Sequence, residues 1–446
     1  MRAELLVCLF LSCLGLNFFS CQPAAPANPS TPVMTPSSSA VPRPSRLSPA
    51  QLYDKVLGAL VGSAIGDAMG APTEMWNRFN MQVEYGHIDS LDDLVREPSA
   101  EGTWGMNLPA GSTTDDTRWK VLMIDFLTGD KEQAGPRPSQ LSATAFTGHI
   151  QQRYERGLQE LRQLDAFALD PYEDQMRKIA WLKEWALVAK PYQEGEIDGY
   201  SDALNKFYGG EMVCAGMLFS PLVGAAYPGD PAWAYEQSFN IDVFDIGYAK
   251  DIAGLSAAMV SAAMSDTASQ DSILRVMREV DPKGYFNSRL VGRTSYKLFQ
   301  EARYIVHEAR EAKAEDIVQN PPVKLALPLE TSDDSIRYAR ISRAYQLLDE
   351  KLMRYPFHPA EIHLVNVTAM MLCDFDFRTS LAFVINYGRD NDTTAAVTGS
   401  ILGALHGFEA LPEDLRTTVL TANRELGFDL ETLAQRLTQS IQASTI

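Results

Sequence analysis

Three glycines set the tightest limit on what this chain can fold into. Gly62, Gly66 and Gly70 recur every fourth residue in Gln51–Gly70, an otherwise apolar stretch of helical periodicity. Spacing of four places them on one helix face. A face without side chains lets another helix come within backbone distance, which in water reads as close helix–helix packing. The rest of the chain repeats the helical period. Further helices are expected over Asp116–Leu127, Ser139–Leu164, Tyr172–Lys190, Pro231–Phe239, Ile246–Met264 and Gln270–Val280. Others follow over Asn287–Val318, Ser332–Met353, Pro359–Cys373, Arg378–Ile385, Asp392–Leu405 and Leu430–Gln442. Several carry their own start signals, such as Asp230 before Pro231 and Asp429 before Leu430. No run sustains period-two alternation. The expected class is all-α, a compact orthogonal multi-helix globule.

The first residues read as an address. Arg2 is followed by the apolar run of residues 5–19, too short for a comfortable membrane span, ending at Ser20-Cys21. This resembles a lipoprotein leader, although Phe18 stands where a leucine is usual. Residues 1–20 are therefore expected to be a signal peptide and 21–48, rich in Pro, Ala and Ser, a tether. The folded domain is expected over 49–446. The expected location is exported, either anchored in the cell envelope through Cys21 or secreted. Cys214 and Cys373 are expected as free thiols. A net charge of −18 excludes non-specific nucleic-acid binding. It also requires any anionic substrate to meet a local cation. The charge-rich stretch Glu301–Asp316 keeps an apolar helical stripe and reads as a solvated outer face.

Chemistry concentrates in two acidic clusters, each at the mouth of a helix: Thr114-Asp115-Asp116-Thr117 and Asp390-Asn391-Asp392-Thr393-Thr394. Alone, either is ordinary capping. Both, however, carry paired acids beyond what a cap needs. The second also opens a helix lined by Ala395, Ala396, Gly399, Ser400, Gly403 and Ala404. If the fold joins them, carboxylates ~4 Å apart repel by ~4 kcal/mol per pair near a surface. A hard divalent cation, Mg²⁺ or Ca²⁺, removes that repulsion and suits these oxygen donors. A third element is Gly66-Asp67-Ala68-Met69-Gly70-Ala71-Pro72-Thr73-Glu74. Asp67 falls in an apolar helix and needs partners if buried. Asp67 bonded to backbone amides is the structural alternative, with Glu74 on the surface. Asp390-x-Asp392-x-Thr394 also matches a phosphatase motif, but Tyr387-Gly388-Arg389 interrupts the apolar run before it and too little chain follows to build a sheet. His358 and His363 do not have HExxH spacing.

The three elements together resemble the ADP-ribosylglycohydrolase family. Its GDxxGxxxE, TDDT and GxDxDT segments correspond to Gly66–Glu74, Thr114–Thr117 and Gly388–Thr393, in the same order. The resemblance implies an all-α fold and hydrolysis of a glycosidic bond at the anomeric carbon of ADP-ribose or a related ribosyl conjugate. It implies two Mg²⁺ ions, with Mn²⁺ as a substitute, held by Thr114, Asp115, Asp116, Asp390, Asp392 and Thr393. Glu74, Asp115 and Asp392 are the implied catalytic residues. The implied partner is a small-molecule or ADP-ribosylated substrate, with membrane contact only through a lipid anchor. The family's Asn-Gly…Met-Arg segment is replaced here by Tyr208–Met217, which has no arginine. The same scaffold acting on another nucleoside or glycosyl substrate, or as a crystallin-like structural protein, are the alternatives.

Overall fold

Ser48 starts the domain. Its hydroxyl accepts from the amide of Gln51, whose side chain accepts in return from the Ser48 amide, and Pro49 fills the first helical position. A computed structural model describes residues 47–95, 107–129, 135–164, 169–316 and 332–444. The expected leader and tether lie outside these residues apart from Leu47 and Ser48. The described residues form eighteen α-helices. They are α1 (Pro49–Gly70), α2 (Arg78–Glu84), α3 (Asp115–Thr128), α4 (Ala143–Gln163), α5 (Leu169–Ala180), α6 (Lys183–Glu194), α7 (Ile197–Leu204), α8 (Ala215–Ala226), α9 (Pro231–Ile241), α10 (Ala249–Ala263), α11 (Gln270–Glu279), α12 (Thr294–Glu311), α13 (Ser332–Asp349), α14 (Pro359–Leu372), α15 (Phe377–Tyr387), α16 (Asn391–His406), α17 (Glu413–Glu425) and α18 (Leu430–Ala443). No strand occurs among them; Leu94 and Leu108 form an isolated bridge. The all-α expectation holds. Among the described residues no helix is long and apolar enough to cross a membrane.

The glycine face does what its spacing predicts. α1 lies against α16 with Gly58 facing Gly403, Gly62 facing Gly399, Gly66 facing Ala395 and Gly70 facing Asp392. At each position a Cβ would collide with the backbone of the facing helix. From Val56 to Gly70 α1 is buried, and so is α16 from Asn391 to Ala404. Around this pair pack α3, α8, α10, α14, α15 and α18, while α4 to α7 form one outer group and α12 and α13 another.

Several boundaries differ from expectation for physical reasons. The stretch expected as one helix over Tyr172–Lys190 is two, α5 and α6. The Trp181 indole donates to the Lys178 carbonyl (3.0 Å), the acceptor that a continuing helix would offer to Leu182, and the Leu182 amide turns to Ile179 instead. The helix expected from Asn287 begins at Thr294, because Leu290 and Gly292 both have left-handed backbone. Helices α2, α7, α8 and α17 were not expected. α8 is buried on every side and contains Pro221, so it has neither an amphipathic stripe nor an unbroken helical sequence. Cys214 and Cys373 are free thiols, and α12 buries its apolar stripe and exposes its charges as expected.

Candidate active site

Four carboxylates from three chain segments line one small cleft. They are Glu74 after α1, Asp115 at the start of α3, and Asp390 and Asp392 at the start of α16. The cleft has a volume of about 60 Å³, and Thr393, Cys214, Trp185, Tyr208 and Phe357 complete its wall. The α1–α16 contact sets its floor: Gly70 abuts the backbone of Asp392, so both helix ends arrive at one point.

Asp67 joins α1 to α3. One oxygen accepts from the Thr114 amide (3.0 Å) and hydroxyl (2.9 Å), the other from the Thr117 amide (2.9 Å) and hydroxyl (2.6 Å). It therefore caps α3 from outside, answering the orphan amides of the first turn. The structural reading of Asp67 is the one the geometry gives. Burial and the nearby Asp116 push its carboxyl up to about 7 against these donors.

The two acidic clusters meet directly. The Thr393 hydroxyl donates to Asp116 (2.9 Å), and Thr114 Oγ1 lies 3.5 Å from Asp392 Oδ2. The other oxygen of Asp116 accepts from Lys120 (2.7 Å), one turn along α3, and the pair is fully enclosed. Asp116 thus has both oxygens engaged. By contrast, Asp392 Oδ1 is buried with no hydrogen-bond partner. Burial, then the charges of Glu74, Asp390 and Asp116, hold the Asp392 carboxyl well above the usual carboxylate range. Burial and the charges of Asp116 and Glu74 do the same for Asp115, against the pull of Arg118. Asp390 is pushed up to about 7 by burial, Glu74 and Asp116. The oxygens are hard donors of the kind that Mg²⁺ takes. Among the described residues no group of three or more His, Cys, Asp or Glu side chains is arranged to hold a metal ion.

The loop carrying Glu74 is locked to the one carrying Asp390. The Met75 amide donates to the Arg389 carbonyl (2.7 Å), and the Arg389 amide to the Trp76 carbonyl (2.9 Å). Met75 and Arg389 both adopt left-handed backbone (φ 65° and 70°), a strain typical of functional loops. The Arg389 side chain grips Glu361 through two bonds (2.7 and 3.0 Å). Asn391 donates to the hydroxyl of Thr73 (2.9 Å), the residue before Glu74. Sequence reasoning missed Arg389, Glu361 and Lys120. Lys120 had a signal, its i,i+4 spacing from Asp116; the Glu361 contact had none. His363 is buried with neither ring nitrogen bonded and does not line the cleft, while His358 caps α14 by accepting from the Ala360 amide (3.1 Å).

The family model for ADP-ribosylglycohydrolase matches residues 48–445. The chain belongs to this family. The uncharacterized protein YegU of Escherichia coli K12 is 35% identical over 74 residues, 17% of this chain. That match spans 21% of the length of that relative. A solved structure described as an ADP-ribosylglycohydrolase-related protein complex aligns over 89% of this chain and 99% of its own, at 15% identity and a TM-score of 0.47. The family's three motif segments all border the cleft, and the stretch that departs from the family pattern contributes Tyr208, Val213 and Cys214 to its wall.

Proposed function

We propose that this protein hydrolyses the glycosidic bond at the anomeric carbon of ADP-ribose or of a related ribosyl conjugate, with two Mg²⁺ ions, or Mn²⁺, held in the acid cleft. The supporting observation is the convergence of Glu74, Asp115, Asp390 and Asp392 around a buried, unpartnered Asp392 oxygen. Asp115, Asp390 and Asp392 are the main donors. Thr114, Asp116 and Thr393 complete the set from the hydrogen-bonded frame behind them. When bound, the ions would hold ribose hydroxyls and lower the cost of ionising a water. Glu74, half-buried at the cleft wall, takes the proton of the attacking water. Oxygen then bonds to the anomeric carbon, the bond to the leaving nitrogen or oxygen breaks with its electron pair, and the proton returns to that atom. Trp185 and Phe357 keep bulk water from the oxocarbenium-like state.

A cleft of about 60 Å³ is far below the ~300–1,000 Å³ of sites that enclose a drug-sized ligand. With no arginine in Tyr208–Met217, this favours enclosure of the ribosyl end alone and supports a second reading, a simple nucleoside or glycoside substrate. The expected leader adds the proposal that the reaction takes place outside the cytoplasm. Turnover of ADP-ribosyl-arginine, ADP-ribosyl-serine and simple nucleosides with millimolar Mg²⁺ tests the proposal. Glu74→Gln should cut kcat by ~10²–10⁴ and keep the Mg²⁺-induced thermal shift. The paired Asp115→Ala, Asp392→Ala variant should lose both. Full turnover by Glu74→Gln, or no turnover of any of the three, overturns it.

A further inference from the structure

A larger cavity, about 450 Å³, lies on the outer side of α3, between α3, α4, α5 and the end of α17. Its construction is unusual for a space between helices. α3 presents Arg118, Val121, Leu122 and Asp125, spaced i, i+3, i+4, i+7. α4 presents His149, Gln152, Arg153 and Arg156 at the same spacing, and α5 presents Asp174, Arg177 and Lys178, continued by Trp181 just past its end. Three facing stripes of this kind ordinarily carry the apolar residues of a core. Here most positions carry charge or hydrogen-bonding groups, and the apolar part is confined to Val121, Leu122, Trp181, Leu426 and Phe428.

The charge is not balanced. Arg118, Arg153, Arg156, Arg177 and Lys178 line the cavity against three carboxylates, Asp125, Asp174 and Glu425. Asp125 is already bound by Arg436 from outside the cavity (2.9 Å), and Asp174 by Arg177. Arg153 and Lys178 have no ion-pair partner among the described residues, and both are exposed at the mouth. Arg118 is 4% exposed, and its guanidinium lies 5.9 Å over the Trp181 ring. A formal excess of two positive charges in a chain of net charge −18 is a local reversal of the field. Solvated helix faces explain exposed lysines and arginines one at a time. They do not explain three polar stripes enclosing one concave space that also has an aromatic floor.

We propose that this cavity is a second binding site, separate from the acid cleft, for a small phosphate ester with an apolar body. A phosphate monoester carries about −1.5 to −2 charges near neutrality, which matches the excess. Arginine forks take phosphate oxygens two at a time, and Trp181, Leu122 and Phe428 take the apolar body. The volume lies within the range of small-molecule sites, whereas the acid cleft repels an unchelated phosphate.

The test is calorimetric titration of the whole protein, in chelator, with phenyl phosphate, inorganic phosphate and phenol. Phenyl phosphate should bind most tightly of the three. Arg153→Glu with Lys178→Glu should weaken it about tenfold or more without moving the thermal midpoint. Asp392→Ala in the acid cleft should leave the binding unchanged. Equal binding by the charge-reversed variant, loss of binding in Asp392→Ala, or no binding by the unmodified protein each overturns the second site. Inorganic phosphate binding as tightly as phenyl phosphate overturns the ester assignment.

Discussion

The acid cleft and the cationic cavity share one helix and are built by opposite means. The first turn of α3 gives Asp115 to the cleft and Asp116 to the frame behind it, and its outer stripe gives Arg118, Val121, Leu122 and Asp125 to the cavity. The cleft rests on backbone meeting backbone along α1 and α16, and the acids behind it, Asp67 and Asp116, are buried and bonded to a fixed frame. The cavity is walled by long side chains on amphipathic helices, and most of its charges reach water. Charges held by backbone contact cannot relax when a partner is lost. Charges on long side chains can, because solvent takes over.

The widest gap should appear between ion pairs. Lys120→Met leaves Asp116 buried without its cation, held only by the Thr393 hydroxyl, and should cost ~3–5 kcal/mol. Arg177→Ala at the cavity breaks a pair whose side chains are 32% and 61% exposed and should cost under ~1 kcal/mol. Urea unfolding of the two variants measures both, and similar costs would mean that the cleft frame is no stiffer than the surface. A narrower gap should separate two glycines. At Gly66 a Cβ would strike the carbonyl of Ala395, which is backbone and cannot turn aside; at Gly157 in α4 it would strike a side-chain methyl of Ile179. Gly66→Ala should therefore cost about 3 kcal/mol and Gly157→Ala about 1 kcal/mol, and Mg²⁺-dependent stabilisation should fade only in the first.

The same contrast explains what the sequence disclosed. The glycine face was legible because its meaning is local: a spacing of four and no side chain. The acidic motifs were legible as chemistry, and the family they resemble is the family the chain belongs to. Their neighbours were less so. Arg389 sits beside Asp390 in the chain, but its partner Glu361 comes from another helix, and no spacing announces such a contact. The break between α5 and α6 turns on where one indole docks. α8 carries no stripe because no side of it faces water. The cavity was not read from the sequence: His149, Gln152, Arg153 and Arg156 share one face of α4, but a polar stripe reads as solvent-facing until two others are found opposite it.

A last comparison sets the open acid cleft against acids that are sealed in. Asp242 and Asp245, just after α9, are buried side by side beneath the start of α8. Asp245 Oδ2 accepts from the Gly216 amide (3.0 Å), and Asp242 Oδ1 accepts from the amides of Phe244 (3.3 Å) and Asp245 (3.1 Å). Burial and the Asp242 charge hold the Asp245 carboxyl well above its ordinary range; burial also raises Asp242, against Lys250 and its hydrogen bonds. A carboxyl whose folded pKa is raised gives its full stabilisation below the unfolded pKa and loses it as pH rises through the folded value. The metal-free protein should therefore lose stability on going from acid to neutral pH, by at most about 1.4 kcal/mol per pH unit for each proton released. Asp245→Asn keeps an acceptor for Gly216 and should flatten part of that slope. Mg²⁺ should remove the share that comes from the cleft and leave the share from Asp245, which is buried and does not line the cleft. Denaturation midpoints across pH, with and without Mg²⁺, separate the two, and an Asp245→Asn slope equal to that of the unmodified protein would show that the sealed pair titrates as in the unfolded chain.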